Sequence, residues 1–315
     1  MNVLKNYFIN LILIFTSTIA ILLFVEIYIR LYYDDGKVYE LEMLKYASKL
    51  KYQVKPKERF YLAHYPNKEE KIMGAKIIIN SNGYRDNLVG INKKNKVLMM
   101  GDSMTFGFGS SVTFSSILDK NLDNFSVINA GVGNTNTVMQ VDSFFDKDYL
   151  QNPDLIILNF FINDLEEISY QHKKFFNNFY LYTLLKYKFS IIKLNTKKID
   201  YIKFYKNTFK QNKNLNQTYD SLRKLKKYCE NNNIKLIINL LPDVRDLKRN
   251  IFKNEFDLIK NFSIKNNIKV ISGYNYFRRY QDLNFLVTEL DPHLNEEGHK
   301  LIASYLIKYI KHGQL

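Results

Sequence analysis

At 315 residues the chain has room for one sizeable α/β domain and an appendage, with a real core. It carries 46 Lys and Arg against 31 Asp and Glu, a formal net charge of +15. No zinc-ligand cluster, RNA-binding motif or basic-helix pattern accompanies that charge, which argues against nucleic acid as partner. Solvated lysines in a Lys-, Asn- and Ile-rich chain account for the charge; an anionic lipid or acidic polymer is the other reading. The single cysteine, Cys229, excludes an internal disulfide and a cysteine-based zinc site.

The first predicted element is a helix over residues 7–25, YFINLILIFTSTIAILLFV, nineteen positions without a charge. That is enough helix to cross a hydrocarbon core of ~30 Å. The run flows into EIYIRLYYDD with no small-residue cleavage site, so an uncleaved anchor is expected in preference to a secretory signal. A buried core helix is the bland alternative. Lys5 precedes the span, while Glu26, Arg30, Asp34 and Asp35 follow it. This pattern leans towards a cytoplasmic N-terminus and an extracytoplasmic domain, at the periplasm or cell surface.

Residues 34–71 mix charge and aromatics with no clear period and read as a membrane-proximal segment. AKIIINSNGYRDN, 75–87, reads as a short strand and an Asn-Gly turn. Apolar bursts then recur at 97–100, 127–129, 155–160, 236–241 and 270–272. Each is short and unalternating, as expected of strands buried on both faces of a parallel sheet. Segments long enough for crossover helices separate them, which argues for a doubly wound α/β domain. One connection is too long for a crossover. From about 166 to 216 it lacks Gly and Pro, and after His172 it holds eleven lysines against one acid, Asp200. It is expected to form a helical insertion, either a cap or membrane-facing surface or a plain embellishment with a solvated basic face. The expected domains are therefore an anchor at 1–33, a membrane-proximal segment and lead-in strand at 34–95, and an α/β domain at 96–315.

Three short stretches fall at the carboxyl ends of expected strands, where open α/β sheets bind ligands, and a fourth lies near the C-terminus. KVLMMGDSMTFGFGSS places Ser103 two residues past the first core strand and just before a helix. Ser103 is either a nucleophile or part of an ordinary strand-to-helix turn, and a phosphate loop would use the same geometry. VINAGVGNTNT offers backbone N–H groups near Gly133 and Asn134. LIILNFFINDLEE puts Asn163 and Asp164 after the third strand, where the Asn163 amide could donate to an oxyanion or cap a helix. ELDPHLNEEGHK brings Asp291 and His293 to a loop before a helix that Asn295 is placed to cap, with Pro292 between them. An activated serine needs a base to take its proton and a carboxylate to orient that base.

In this order the four stretches resemble the SGNH, or GDSL, hydrolase family, from about residue 96 to the C-terminus. The resemblance implies a three-layer α/β/α, flavodoxin-like doubly wound parallel sheet of about five strands, here with a helical insertion and an N-terminal transmembrane helix. It implies Ser103 as nucleophile, His293 as general base and Asp291 as the orienting acid. The Ser103 N–H, an N–H at Gly133 or Asn134, and the Asn163 amide would form the oxyanion hole. Three departures stand out. The family's glycine in the second stretch falls on Asn134, or on Gly133 with a one-residue shift. Phe161 replaces the third stretch's glycine. One residue separates Asp291 from His293 where the family has two, so Glu289 is the alternative orienting acid.

The implied activity is a serine esterase acting on acyl, O-acetyl-like esters of a small molecule or glycan at the membrane. Anchored proteins of this type also act as O-acyltransferases on surface polysaccharide with a membrane acyltransferase partner, and a degenerate glycan-binding scaffold is the non-enzymatic alternative. No metal or cofactor is implied.

Overall fold

The computed structural model describes residues 2–55, 59–86, 93–146, 153–169, 178–197, 200–288 and 292–311. The N-terminal portion holds α1 (Asn2–Tyr28), α2 (Tyr39–Lys45), β1 (Lys51–Val54), β2 (Tyr61–His64), β3 (Lys68–Ile72) and β4 (Ala75–Ile79). Then come β5 (Asn95–Gly101), α3 (Ser103–Phe106), α4 (Phe114–Asn121), β6 (Phe125–Asn129), α5 (Thr137–Asp146) and β7 (Leu155–Phe160). The chain continues with α6 (Tyr180–Lys197), α7 (Tyr201–Phe209), α8 (Asn212–Asn231), β8 (Lys235–Leu240) and α9 (Lys253–Lys265). It ends with β9 (Lys269–Ser272), α10 (Tyr274–Arg278) and α11 (Glu296–Lys311). Two compact units result, one of residues 1–48 with 172–198, the other of 49–171 with 199–315.

The larger unit is built on a five-stranded sheet in the order β6-β5-β7-β8-β9, parallel throughout. The five apolar bursts of the sequence are these strands. All six residues of β7 are buried, as a strand covered on both faces requires. Helices α4 and α11 pack together on one face. On the other, α5 packs on α8, and Tyr219 of α8 stacks on Phe262 of α9 at 3.9 Å. This is the expected three-layer, doubly wound α/β architecture.

Local sequence sets the helix ends. Thr113 and Ser116 form a reciprocal capping box at α4, and Asn295 accepts the Gly298 N–H to start α11. Helix α8 buries Thr218, Ser221, Leu222, Leu225 and Cys229 along one stripe. Cys229 sits inside that stripe, where burial pushes its thiol up to about 12, so it packs and does not react.

The stretch 34–71, which reads as aperiodic, is ordered as α2 and β1 to β3. β1 pairs with β2 and β3 with β4, both antiparallel. The sequence hides the β1–β2 hairpin because neither of its strands alternates: β1 is half-buried along its length, and β2 is buried at all four positions. Tyr61, Leu62 and Ala63 of β2 pack with Val132 and Met139, which seats the hairpin on α5. The predicted insertion supplies α6, α7 and the start of α8.

In the smaller unit, α6 packs on α2 and on the end of α1. Glu26 accepts the Tyr180 and Leu181 N–H groups at 2.9 Å each, and so caps α6. Arg30 binds Glu26 at 2.7 Å, donates to the Asn178 carbonyl at 2.8 Å and lies 4.3 Å over the Tyr180 ring.

Candidate active site

The carboxyl edge of the sheet is lined with buried asparagines that fix the strand ends. Asn159 donates to the Met100 carbonyl, Asn239 donates to Asn159, and the Tyr305 hydroxyl donates to Asn239. Asn129 reaches across to the Thr105 carbonyl at 2.9 Å. Each buried amide has a partner, so the edge is rigid where the chain must turn. Gly101 makes that turn with φ of +156°, and a Cβ there would lie 2.1 Å from Thr105 Oγ1. Gly131 of the next loop lies so close to α3 that a Cβ would meet the Phe106 nitrogen at 2.3 Å. Both positions require glycine because two loops share one narrow space.

Asp102 is fully buried and caps α3, its carboxylate accepting the Met104 N–H at 2.9 Å. Ser103 opens the helix and is half-buried. The second loop lies directly beside it, since the Val132 N–H donates to the Gly101 carbonyl at 3.1 Å. In that loop Gly133 is buried and Asn134 is exposed with φ of +61°. The left-handed position thus falls on Asn134, and asparagine tolerates it well. The Gly133 carbonyl accepts from Lys51 Nζ at 3.0 Å, and burial pulls the Lys51 ammonium down to about 7.

Asn163 stands in the turn after β7, half-buried. No helix starts there, since 166–169 are irregular, so the helix-cap reading of Asn163 falls away. Its neighbour Asp164 ties the third loop to the second. The Asp164 carboxylate accepts from the Phe161 N–H at 2.6 Å and from Gln140 Nε2 at 2.7 Å, while its carbonyl accepts the Thr137 N–H at 3.2 Å. Asn136 donates to the Glu166 carbonyl at 2.8 Å.

His293 is buried on a strap in which the Val287 N–H donates to the His293 carbonyl and the Asn295 N–H to the Phe285 carbonyl. Its ring lies 4.9 Å from that of Phe108, whose own N–H bonds the Ser103 carbonyl at 3.2 Å. The histidine is therefore seated against the segment that follows the serine. Asp291 and Glu289, the two proposed orienting acids, lie outside the described residues.

The electrostatics join these pieces. Burial raises the Asp102 carboxyl above its ordinary value, and bonds from the Met104 N–H and the Asn163 side chain oppose that rise, as does the charge of His293. Asn163 and His293 are thus side chains whose influence reaches the buried carboxylate next to Ser103. Asp164 is held well above the usual carboxylate range by burial and by the nearby Asp102, and Glu166 is raised chiefly by burial.

Two further residues support the site. The first is Arg85, which in the sequence reads only as part of a turn. Its side chain is fully buried, with Nη1 bonding the Phe106 and Gly107 carbonyls at 2.9 and 2.7 Å and Nη2 bonding Ser110 at 2.6 Å. It also pairs with Asp86 at 3.4 Å and lies 4.9 Å over the Phe106 ring. One guanidinium thus fixes the loop that runs from the end of α3 past Phe108.

The second is His299, which packs fully buried on Phe114 and accepts its N–H through Nδ1 at 3.3 Å. Burial first, then the charges of Arg85 and His293, pull its ring down to about 3. Below pH 6.5 the unfolded chain binds a proton here that the folded chain refuses until about pH 3. Stability at this site is therefore lost as pH falls through that window, by ~1.4 kcal/mol per pH unit. Asp102 and Asp164 act in the opposite sense, since the folded chain binds their protons first. Replacing His299 with Gln is expected to improve relative stability progressively as the pH is lowered. Thermal melts of both proteins from about pH 7 to about pH 4 check this, and a Tm difference that stays constant with pH would contradict it.

Fold and site together define a doubly wound α/β protein whose serine turn, asparagine and histidine share the carboxyl edge of the sheet. No family model and no curated protein matches the chain. Among solved structures it is similar to a member of the lipolytic protein G-D-S-L family from Veillonella parvula DSM 2008, at 17% identity and a TM-score of 0.44, over 68% of this chain and 96% of that one. It is similar to a catalytic mutant of an acetylxylan esterase from Geobacillus stearothermophilus, at 13% identity and a TM-score of 0.46, over 70% and 96%. It is also similar to an alpha/beta hydrolase from the metagenome of Lake Arreo, Spain, at 12% identity and a TM-score of 0.46, over 69% and 94%. These likenesses are loose, and the case for function comes from this chain's own residues.

Proposed function

We propose that the chain is a membrane-anchored serine ester hydrolase of the SGNH/GDSL type. The observation that carries this reading is the seating of His293 against Phe108, whose N–H bonds the Ser103 carbonyl, with Ser103 in the turn after β5 and Asn163 in the turn after the paired strand β7. Ser103 Oγ attacks the ester carbonyl and His293 takes its proton. The oxyanion is held by the Ser103 N–H at the start of α3, an N–H of the Gly133–Asn134 turn and the Asn163 amide. His293 returns the proton to the departing alcohol, and water then hydrolyses the acyl-enzyme by the reverse sequence. Asp291 is the proposed orienting acid, and the buried Asp102 carboxylate adds negative potential where the imidazolium forms.

The anchor reading draws on α1. The candidate span that it opens, Leu4–Tyr33, contains an 18-residue window of mean hydropathy 2.6, none of which is buried. Its last turns are part of a folded unit through Glu26 and Arg30. A cleaved signal would take that cap away, so the geometry favours retention, with the domain outside the cytoplasm by the flanking charges.

Detergent-solubilised full-length protein is expected to hydrolyse p-nitrophenyl acetate and to release acetate from acetylated glycans. Asn163→Ala should lower kcat by about 10²-fold or more with little change in KM, as loss of one oxyanion donor does. A kcat equal to that of the unaltered protein would remove Asn163 from the site. Transfer of the acyl group to a sugar hydroxyl, with no free acid formed, would assign the same site to an O-acyltransferase.

A further inference from the structure

Helix α6 exposes large apolar side chains along one face of its described residues. Tyr182, Leu185 and Phe189 are 39%, 46% and 68% exposed, and with exposed Lys186 they fall at the spacing i, i+3, i+4, i+7, so they form a single stripe. Lys188 is exposed on its flank. Three large apolar side chains on one face of a helix mark a surface that meets something other than water.

Its position in the smaller unit says what. The N-terminus of α6 is pinned by Glu26 and Arg30, and Glu26 is the first charged residue after the uncharged run of residues 7–25. If α1 spans the bilayer, as proposed above, α6 starts at the level where α1 emerges. Exposed Tyr28, Tyr32 and Tyr33 mark that level, with Tyr28 and Tyr32 stacked at 5.6 Å, as aromatic side chains do at the headgroups. A helix fixed there with an apolar stripe and lysines beside it has the make-up of an interfacial helix.

We propose that α6 lies on an anionic lipid surface. Tyr182, Leu185 and Phe189 sit at the boundary of headgroups and acyl chains, and Lys186 and Lys188 sit among the lipid phosphates. This inference rests on the anchor reading.

The chain has no tryptophan, so a single introduced indole reports without background. Full-length Phe189→Trp, and separately Phe15→Trp within α1, would be reconstituted into phosphatidylcholine vesicles with and without phosphatidylglycerol. For Phe189→Trp the expected result is blue-shifted emission, protected from aqueous acrylamide and quenched more by lipids brominated near the glycerol end than near the chain end. Quenching should strengthen with phosphatidylglycerol, and Lys186→Glu with Lys188→Glu should remove that increase. The Phe15→Trp protein should be quenched most by deep bromines.

Emission from Phe189→Trp that is open to acrylamide, while that from Phe15→Trp is quenched in the bilayer, would overturn the proposal and leave the anchor standing. An indole on α6 shielded from both acrylamide and bromine would also overturn it, pointing to a protein partner or a second copy. Neither variant quenched by lipid would overturn the anchor reading and this inference together.

Discussion

Ser103→Ala and His293→Ala are each expected to lower kcat/KM for an activated acetyl ester by about 10⁴-fold, and the double variant by no more than either alone. Serine and base act as one unit, because without the histidine the hydroxyl stays protonated and without the serine there is nothing to deprotonate. Residual rate over buffer should survive in all three, supplied by the oxyanion donors. Ser103 is half-buried at the first position of α3, so removing its oxygen should leave Tm nearly unchanged. His293 is buried against Phe108, so its truncation should also lower Tm. Steady-state kinetics beside thermal melts separate the two effects. Multiplicative losses in the double variant would mean that the two residues work independently, which the acyl-enzyme mechanism does not allow.

Arg85 carries the second large effect. Arg85→Met should destabilise the protein by about 3–5 kcal/mol, because it strands the buried carbonyls of Phe106, Gly107 and Ser110 and removes the partner of Asp86. It should also lower kcat, by up to about 10²-fold, through displacement of the Phe108 segment on which His293 rests. Arg85→Lys restores a charge but not the two-pronged fork, so it should recover part of the stability and less of kcat. It is the variant to measure if the methionine protein does not fold. Denaturant titration gives the stability and initial rates give the KM and kcat split. A folded Arg85→Lys protein with full kcat would make Arg85 a purely structural residue.

The sheet was legible because parallel strands buried on both faces leave uninterrupted apolar runs, as at β7. Ser103 and Asn163 were legible because they sit just after those runs, where the fold class puts ligands, and His293 because an acid lies two residues before it, ahead of a helix. Arg85 could not be read, since its role depends on three carbonyls that only the folded loop gathers together. The electrostatic link of Asp102 to Asn163 and His293 was hidden for the same reason, because those residues lie on separate loops of the chain. The β1–β2 hairpin escaped because its strands lack alternation, being covered by a helix on one side and partly screened on the other.

In the proposed mechanism Ser103 forms the covalent acyl-enzyme. Mass spectrometry of the full-length protein after reaction with a fluorophosphonate tests it most directly. One adduct is expected, on the peptide that contains Ser103, absent from Ser103→Ala and formed far more slowly by His293→Ala. An active protein whose Ser103 stays unlabelled, or whose adduct maps to another residue, would contradict it.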